Sequence, residues 1–270
     1  MIRARLSIAS VLDESAQVVR LTSVRWAALL LATSIPYRFM QVVFVDRLLE
    51  LGAKANQYGD LLRLTADLTI AAFLISLWGR AVYARAARLT AGRGVVAGRE
   101  ALRVPAAALA SYLLVASLVE LLMWASLVTI LGVLFAAILS GLAIGTMELN
   151  EVAGLRTPFR HIARYGRQLK IVVALTGVFV VALLVAIGNL VALKELGLWL
   201  LSAASGADLA RWRVVLSSAN HRYVLIVLAG ALLTVEPFWI AANVMLVRKA
   251  GTAESGDDLR VWFDELRRTA

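Results

Sequence analysis

Arg38 and Glu236 each place a charge inside a run of apolar residues, and solvation alone does not explain either position. The runs are WAALLLATSIPYRFMQVVFV (26–45) and 223–247. Even a lenient insertion scale charges roughly 2.5–3.5 kcal/mol for such a group at the centre of a membrane helix, so it must find a partner, reach water or serve a function. Both adjoin a proline, in Pro36-Tyr37-Arg38 and Glu236-Pro237. A proline frees a backbone carbonyl one turn earlier and bends a helix, which gathers polar atoms at that depth. Arg38 lies about 2.5 residues past the centre of its run, roughly 4 Å to the outer side at 1.5 Å per residue, and Glu236 is next to the centre of its own. Matching depth predicts an Arg38–Glu236 ion pair. Asp67 competes for Arg38, or pairs with Arg63 one helical turn away. Glu120 falls near the outer end of a third run and reaches the interface. This intramembrane polar centre has three uses open to it: an ion pair fixing the first and last spans, a proton-linked station in a translocation path, or a headgroup site.

Other chemistry is scarce. There are no cysteines, which removes disulfides, thiolate catalysis and Cys-ligated metal centres. The sequence holds no HExxH, GxSxG, Walker A or GxGxxG motif, and no catalytic, cofactor-binding or metal-binding residues are assigned. The two histidines, His161 and His221, fall in loops on opposite sides and read as interfacial polar residues.

The elements that carry these residues follow from composition. The chain is 61% hydrophobic and 17% charged, against roughly 45–50% and about 25% in soluble domains. Its apolar residues come in blocks long enough to cross a hydrocarbon core of about 30 Å. An all-α, polytopic membrane protein is expected, because helices satisfy every backbone amide within their own segment. Six spans can be drawn, at 26–45, 64–83, 105–124, 127–147, 171–191 and 223–247, with a hairpin near Trp124–Ser126 dividing the third from the fourth. Residues 1–25 form a cytoplasmic segment without the features of a cleaved signal peptide, and 248–270 form a cytoplasmic tail.

The net charge of +10 is topological. Twenty Lys and Arg residues fall on the side of the N-terminal segment, the 80–103 and 156–170 loops and the tail, against seven on the other side. This places both termini in the cytoplasm and makes anionic headgroups the partner of the arginine-rich loops. No nucleic-acid module accompanies the charge, and none is expected to bind. Gly141 and Gly145 form a GxxxG pattern suited to close helix packing.

Two further segments bear on partners. Residues 194–222 form the longer outer loop, in which Leu196–Leu201 is too short to span and reads as interfacial or re-entrant. In the tail, Ser255 precedes Asp258 as a capping-box-like start, and Leu259, Trp262, Phe263 and Leu266 follow at i, i+3, i+4 and i+7. That face either folds back on the protein or membrane, or docks a membrane or cytoplasmic protein.

SIPYRFM (34–40), LWGRAVYARA (77–86), EPFWIAANVMLVRKAG (236–251) and ESGDDLRVWFDELRR (254–268) resemble uncharacterised multi-pass proteins of the bacterial inner membrane. The six-span layout is also similar to the membrane domain attached to some glycerophosphodiester phosphodiesterases. The catalytic barrel of those enzymes, with its His and Glu residues, is absent from this chain, so no such activity carries over. The resemblance implies a bacterial inner-membrane location beside an envelope partner.

Two functions are therefore expected as alternatives. One is a non-enzymatic integral membrane component, a scaffold or subunit of a bacterial envelope assembly. The other is a small transporter or channel with its polar centre at Arg38 and Glu236. The topology has a direct test in intact cells, since the chain has no native cysteine. Single cysteines at Lys54 and Ser205 are expected to react with an impermeant maleimide from outside, and those at Ala91 and Thr252 only after permeabilisation. Labelling of Ala91 from outside overturns the orientation.

Overall fold

The computed structural model describes residues 7–22, 24–51, 59–93, 98–126, 168–206 and 208–255, and among them there are helices and no strands. In chain order they are α1 (Ile8–Leu21), α2 (Val24–Leu51), α3 (Gly59–Arg93), α4 (Gly98–Leu102), α5 (Ala106–Ser126), α6 (Leu169–Ser205), α7 (Ala210–Val215) and α8 (His221–Ser255). Four of them, α2, α3, α6 and α8, are long and apolar enough to cross a membrane. The third expected span coincides with α5, which is apolar over Ala106–Leu121. The fourth, at 127–147, lies outside the described residues, as do Gly141, Gly145 and the face made by Leu259, Trp262, Phe263 and Leu266.

Several helices outrun the spans drawn from hydropathy. α6 is 37 residues long, about 56 Å at 1.5 Å per residue. It carries straight through Leu196–Leu201, so that piece is not a separate element but a continuation of the helix that holds the fifth expected span. The cause is local: Ala192, Leu193, Lys194 and Glu195 are good helix formers, and no proline interrupts them. The stop comes at Gly206, whose φ of 63° is the left-handed conformation of a terminating glycine, with its N–H donating to Ser202 O at 2.9 Å. α8 likewise continues through Ser255, which is helical rather than the non-helical cap expected to open a separate tail helix. α1 is an element that the reading of 1–25 did not contain. Ser7 caps it, its Oγ accepting from Ser10 N at 3.2 Å, and Val11, Ser15 and Val18 bury one face at helical spacing.

The chain divides into two compact units. The first comprises Met1–Ala27, Arg80–Val178 and Phe238–Ala270. Its described core is apolar and tight: Ala81, Val82, Ala86 and Ala87 are fully buried on α3, and every residue from Trp239 to Val247 is buried on α8. A helix buried on all sides needs its polar groups satisfied internally, and Asn243 does this by donating Nδ2 to Trp239 O at 2.8 Å. Lys249 ties α8 to α1, with Nζ 2.6 Å from Glu14 Oε1 and 3.1 Å from Ser10 O.

The second unit comprises Ala28–Gly79 and Phe179–Pro237. Its outer surface is apolar and its interior mixed. Ile35, Phe39, Leu68, Ile70, Leu74, Val181 and Leu184 are exposed, whereas Thr33, Ser34, Thr65, Thr69, Ser76 and Glu236 are buried alongside Leu30, Tyr37, Phe73 and Leu77. Soluble monomers rarely expose apolar surface on this scale, and a lipid-facing surface requires it. Small residues let α2 and α3 approach closely here: a Cβ on Gly79 would overlap Thr33 Oγ1 and lie 2.8 Å from Thr33 Cβ. Tyr37 and Phe73 pack beside that contact line with ring centroids 5.2 Å apart.

Gly79→Ala is expected to lower unfolding stability in detergent by about 1–3 kcal/mol through overpacking. Gly92→Ala, where the added Cβ meets nothing within 4 Å, is expected to be neutral or slightly stabilising. Equal effects of the two substitutions would contradict the close contact.

Candidate functional site

The polar interior of the second unit is built from three helices. On α2, Ser34, Tyr37, Arg38 and Gln41 recur at intervals of three and four residues and so share one face. On α3, Thr65, Thr69 and Ser76 do the same. On α8, Glu236 sits directly before Pro237 and is 7% exposed.

Most of these hydroxyls spend their proton on their own helix. Thr33 Oγ1 lies 3.0 and 2.9 Å from Leu29 O and Leu30 O, Thr65 Oγ1 lies 2.9 Å from Leu62 O, and Ser76 Oγ lies 2.8 Å from Phe73 O. Such back-bonding satisfies the donor and leaves oxygen lone pairs facing the interior. Thr69 also bridges two helices, its Oγ1 lying 2.7 Å from Thr65 O and 3.3 Å from Met40 O on α2. Ser34 differs: it is fully buried, and its Oγ has no hydrogen-bond partner among the described residues. One turn further along α2, the Arg38 Nε is in the same condition.

The predicted polar residues are only partly brought together. Arg38 is engaged within α2, with Nη1 donating to Gln41 Oε1 at 2.8 Å and its guanidinium carbon 5.2 Å from the centre of the Tyr37 ring. The expected Arg38–Glu236 ion pair is not formed among the described residues. Equal depth does not ensure that two side chains face each other, and Gln41 lies within reach on Arg38's own helix. Asp67 is exposed on α3 and forms no ion pair with Arg38 or Arg63 among the described residues. Glu120 is half-buried on α5 and belongs to the first unit, whereas Arg38, Asp67 and Glu236 belong to the second. No group of three or more His, Asp or Glu side chains able to hold a metal ion occurs among the described residues.

A second polar cluster in the same unit escaped the sequence reading. Asp46 and Glu50, near the end of α2, meet His221 and Arg222, which open α8. Asp46 Oδ1 lies 2.8 Å from His221 Nε2 and 2.9 Å from Arg222 Nε. Arg222 Nη2 also pairs with Glu50, and Arg47 Nη1 stands 3.6 Å from Glu50 Oε2. The Asn220 Oδ1 accepts from Arg222 N at 3.1 Å, the contact of a helix N-cap. An electrostatic tie between the first and last expected spans therefore exists, at their ends rather than at mid-depth. Its signal in the sequence was the pair of acids four residues apart just past the first run, facing a His-Arg pair just before the last.

Compared with known families, curated proteins and solved structures, the chain matches none. Its reading therefore rests on its own geometry.

Asp46→Ala and Arg222→Ala are each expected to lower the melting temperature in detergent, and the double variant is expected to lose less than the two single losses combined. The coupling should shrink at high salt, because the Arg222 side chain is about half exposed. Strict additivity at low salt would show that the contact contributes nothing.

Proposed function

We propose that this protein is a non-enzymatic, multi-pass membrane protein that passes protons through the polar interior of its second unit, with Glu236 as the group that gains and loses the proton. The observation that carries this reading is a buried carboxyl, Glu236, in the same unit as the buried hydroxyls of Thr33, Ser34, Thr65, Thr69 and Ser76, on helices whose Ile35, Phe39, Leu68 and Leu74 are exposed. Serine and threonine also serve close helix packing, so the weight falls on the Glu236 carboxyl, because an ionisable group in a membrane interior is costly and marks an ion or proton path. Back-bonded threonines and serines supply a row of lone pairs, and Ser34 and Arg38 add hydrogen-bonding atoms not used by the described residues. Together these groups suit a short chain of water molecules leading to a carboxyl.

The scaffold alternative depends on the tail face at Leu259, Trp262, Phe263 and Leu266, outside the described residues. The translocation alternative rests on Glu236, Ser34 and Arg38, which the structure describes. In the same proposal the chain lies in a bacterial inner membrane with six spans and both termini in the cytoplasm, its arginine-rich side against anionic headgroups.

Proteoliposomes carrying an entrapped pH dye test the reading. Under an imposed potential the wild type is expected to acidify or alkalinise the lumen faster than protein-free vesicles. Glu236→Gln should return the rate to that of protein-free vesicles while keeping its melting temperature, and Ser34→Ala should slow it partially. A wild type no faster than empty vesicles, or a fully active Glu236→Gln, rejects the proposal.

A further inference from the structure

We infer that residues 196–206 and 208–216 form a latched apolar hairpin that seats in the anionic headgroup layer of the protein's own bilayer, as an interfacial lipid-binding element at the end of the helix that carries the fifth expected span. Its first arm is the end of α6, its second is α7, and both lie in the second unit.

The base is closed. Lys194 Nζ donates to Leu216 O at 3.0 Å and stands 5.2 Å from the centre of the Tyr223 ring, while Glu195 Oε1 lies 2.5 Å from the same ammonium. This lysine therefore joins the outgoing helix, the returning chain and the start of α8, with its charge balanced beside it. Leu198 is buried on the first arm, and Leu209 is buried just before the second.

Its outer side is apolar and unusually rich in tryptophan. Leu196, Trp199, Leu200 and Leu201 on the first arm are exposed, as are Trp212, Val214 and Val215 on the second. The choice of a bilayer as occupant follows from continuity, depth and charge. Val181, Leu184, Val185, Gly188 and Ala192 are exposed at helical spacing along α6, and Leu196 and Trp199 extend that same stripe without a change of face. The surface that meets lipid lower on α6 is thus the surface that continues past Lys194.

The depth agrees. Ile171–Leu193 supplies a charge-free, largely apolar stretch of about 34 Å at 1.5 Å per residue, enough for the hydrocarbon core. Leu196–Leu201 then lie roughly 3–10 Å beyond Lys194, in and at the rim of a headgroup layer about 5–8 Å thick. Leu216 returns to the level of Lys194, so Val214 and Val215 lie close to that boundary as well. The charge agrees too: the hairpin carries Arg211 and Arg213 against the single Asp208, and both arginines are exposed beside Trp212. Tryptophan with arginine on a partly apolar helical surface is the composition that binds anionic interfaces.

The test uses the full-length, natively cysteine-free chain in phosphatidylcholine vesicles with and without phosphatidylglycerol. An environment-sensitive fluorophore is attached at Leu200→Cys, at Val214→Cys or, as an aqueous control, at Ser218→Cys. The first two probes are expected to be quenched by lipids carrying a shallow spin label and shielded from iodide, and the control to show the reverse. Phosphatidylglycerol should increase the shielding. Arg211→Gln and Arg213→Gln should each reduce that increment by about fivefold in the equilibrium between seated and free hairpin. Probes at 200 and 214 as accessible to iodide as the control overturn the inference. Shielding from both iodide and lipid quencher also overturns it, and assigns the surface to a second copy or another protein. Because the readout is depth and not flux, a failure here is distinguishable from failure of the proton-path proposal.

Discussion

A hydrocarbon core offers no water to a donor or acceptor, so every polar atom placed there must be satisfied by the protein. Most polar groups of the described helices meet this requirement by keeping bonds local. Backbone amides close within each helix, and side-chain hydroxyls fold back onto carbonyls three or four residues earlier, as at Thr33, Thr65, Thr90, Ser111 and Thr176. Arg38 follows the same rule with Gln41 one turn away. Where bonds are local, a helix tolerates polar residues without needing a fixed neighbour. Bonds between helices then become informative, and Thr69 to Met40 O is one. A buried hydroxyl that declines the local bond, as Ser34 does, is more informative still.

The same constraint decides where opposite charges meet. An ion pair between the first and last spans at mid-depth would carry the desolvation of two ions with no water nearby. Asp46, Glu50, His221 and Arg222 make the equivalent connection at helix ends, where Arg222 remains about half exposed and keeps part of its hydration. Such a pair adds little stability by itself but fixes which helix ends are neighbours. Lys194 acts similarly beside them, adding a backbone carbonyl and an aromatic face to its carboxylate partner. Charges concentrated at span ends and hydroxyls distributed within spans are two answers to one solvation problem.

The helices long and apolar enough to cross lipid were legible in the sequence because their signal is one-dimensional. A run of about 20 apolar residues identifies a crossing whatever its neighbours are. Their lengths were less legible, for hydropathy marks where lipid contact ends and not where helical hydrogen bonding ends. α6 passes Lys194-Glu195 without a break because those residues favour helix, and only Gly206 stops it. α1 was missed because its buried face is short, Val11, Ser15 and Val18, with a serine at its centre. The polar interior was half legible. Arg38 and Glu236 stand out by charge, but Thr65, Thr69 and Ser76 are ordinary residues whose meaning comes from spacing and burial together. Pairing Arg38 with Glu236 used depth alone, and depth fixes one of the two coordinates that decide whether side chains meet. Rotation about the helix axis is the other, and helix packing sets it.

α8 shows how one helix serves both demands. From Trp239 to Val247 it is buried on every side, with Ala241 and Ala242 allowing close packing and Asn243 bonded internally. Just before that stretch, Glu236 is buried, Pro237 cannot supply an amide hydrogen, and the Leu233 carbonyl loses its usual donor. Thr234 Oγ1 donates to Ala231 O at 2.7 Å in the same turn. Polar atoms are thus concentrated in the few residues where the backbone ladder is already interrupted. α2 has the same ingredients around Pro36, with Ser34 two residues before it and Arg38 two after. A proline costs a helix about 3 kcal/mol in an ordinary interior position. Two of them beside ionisable residues are accounted for if the freed carbonyls are themselves useful acceptors, adding to the lone pairs that the back-bonded hydroxyls present within the second unit.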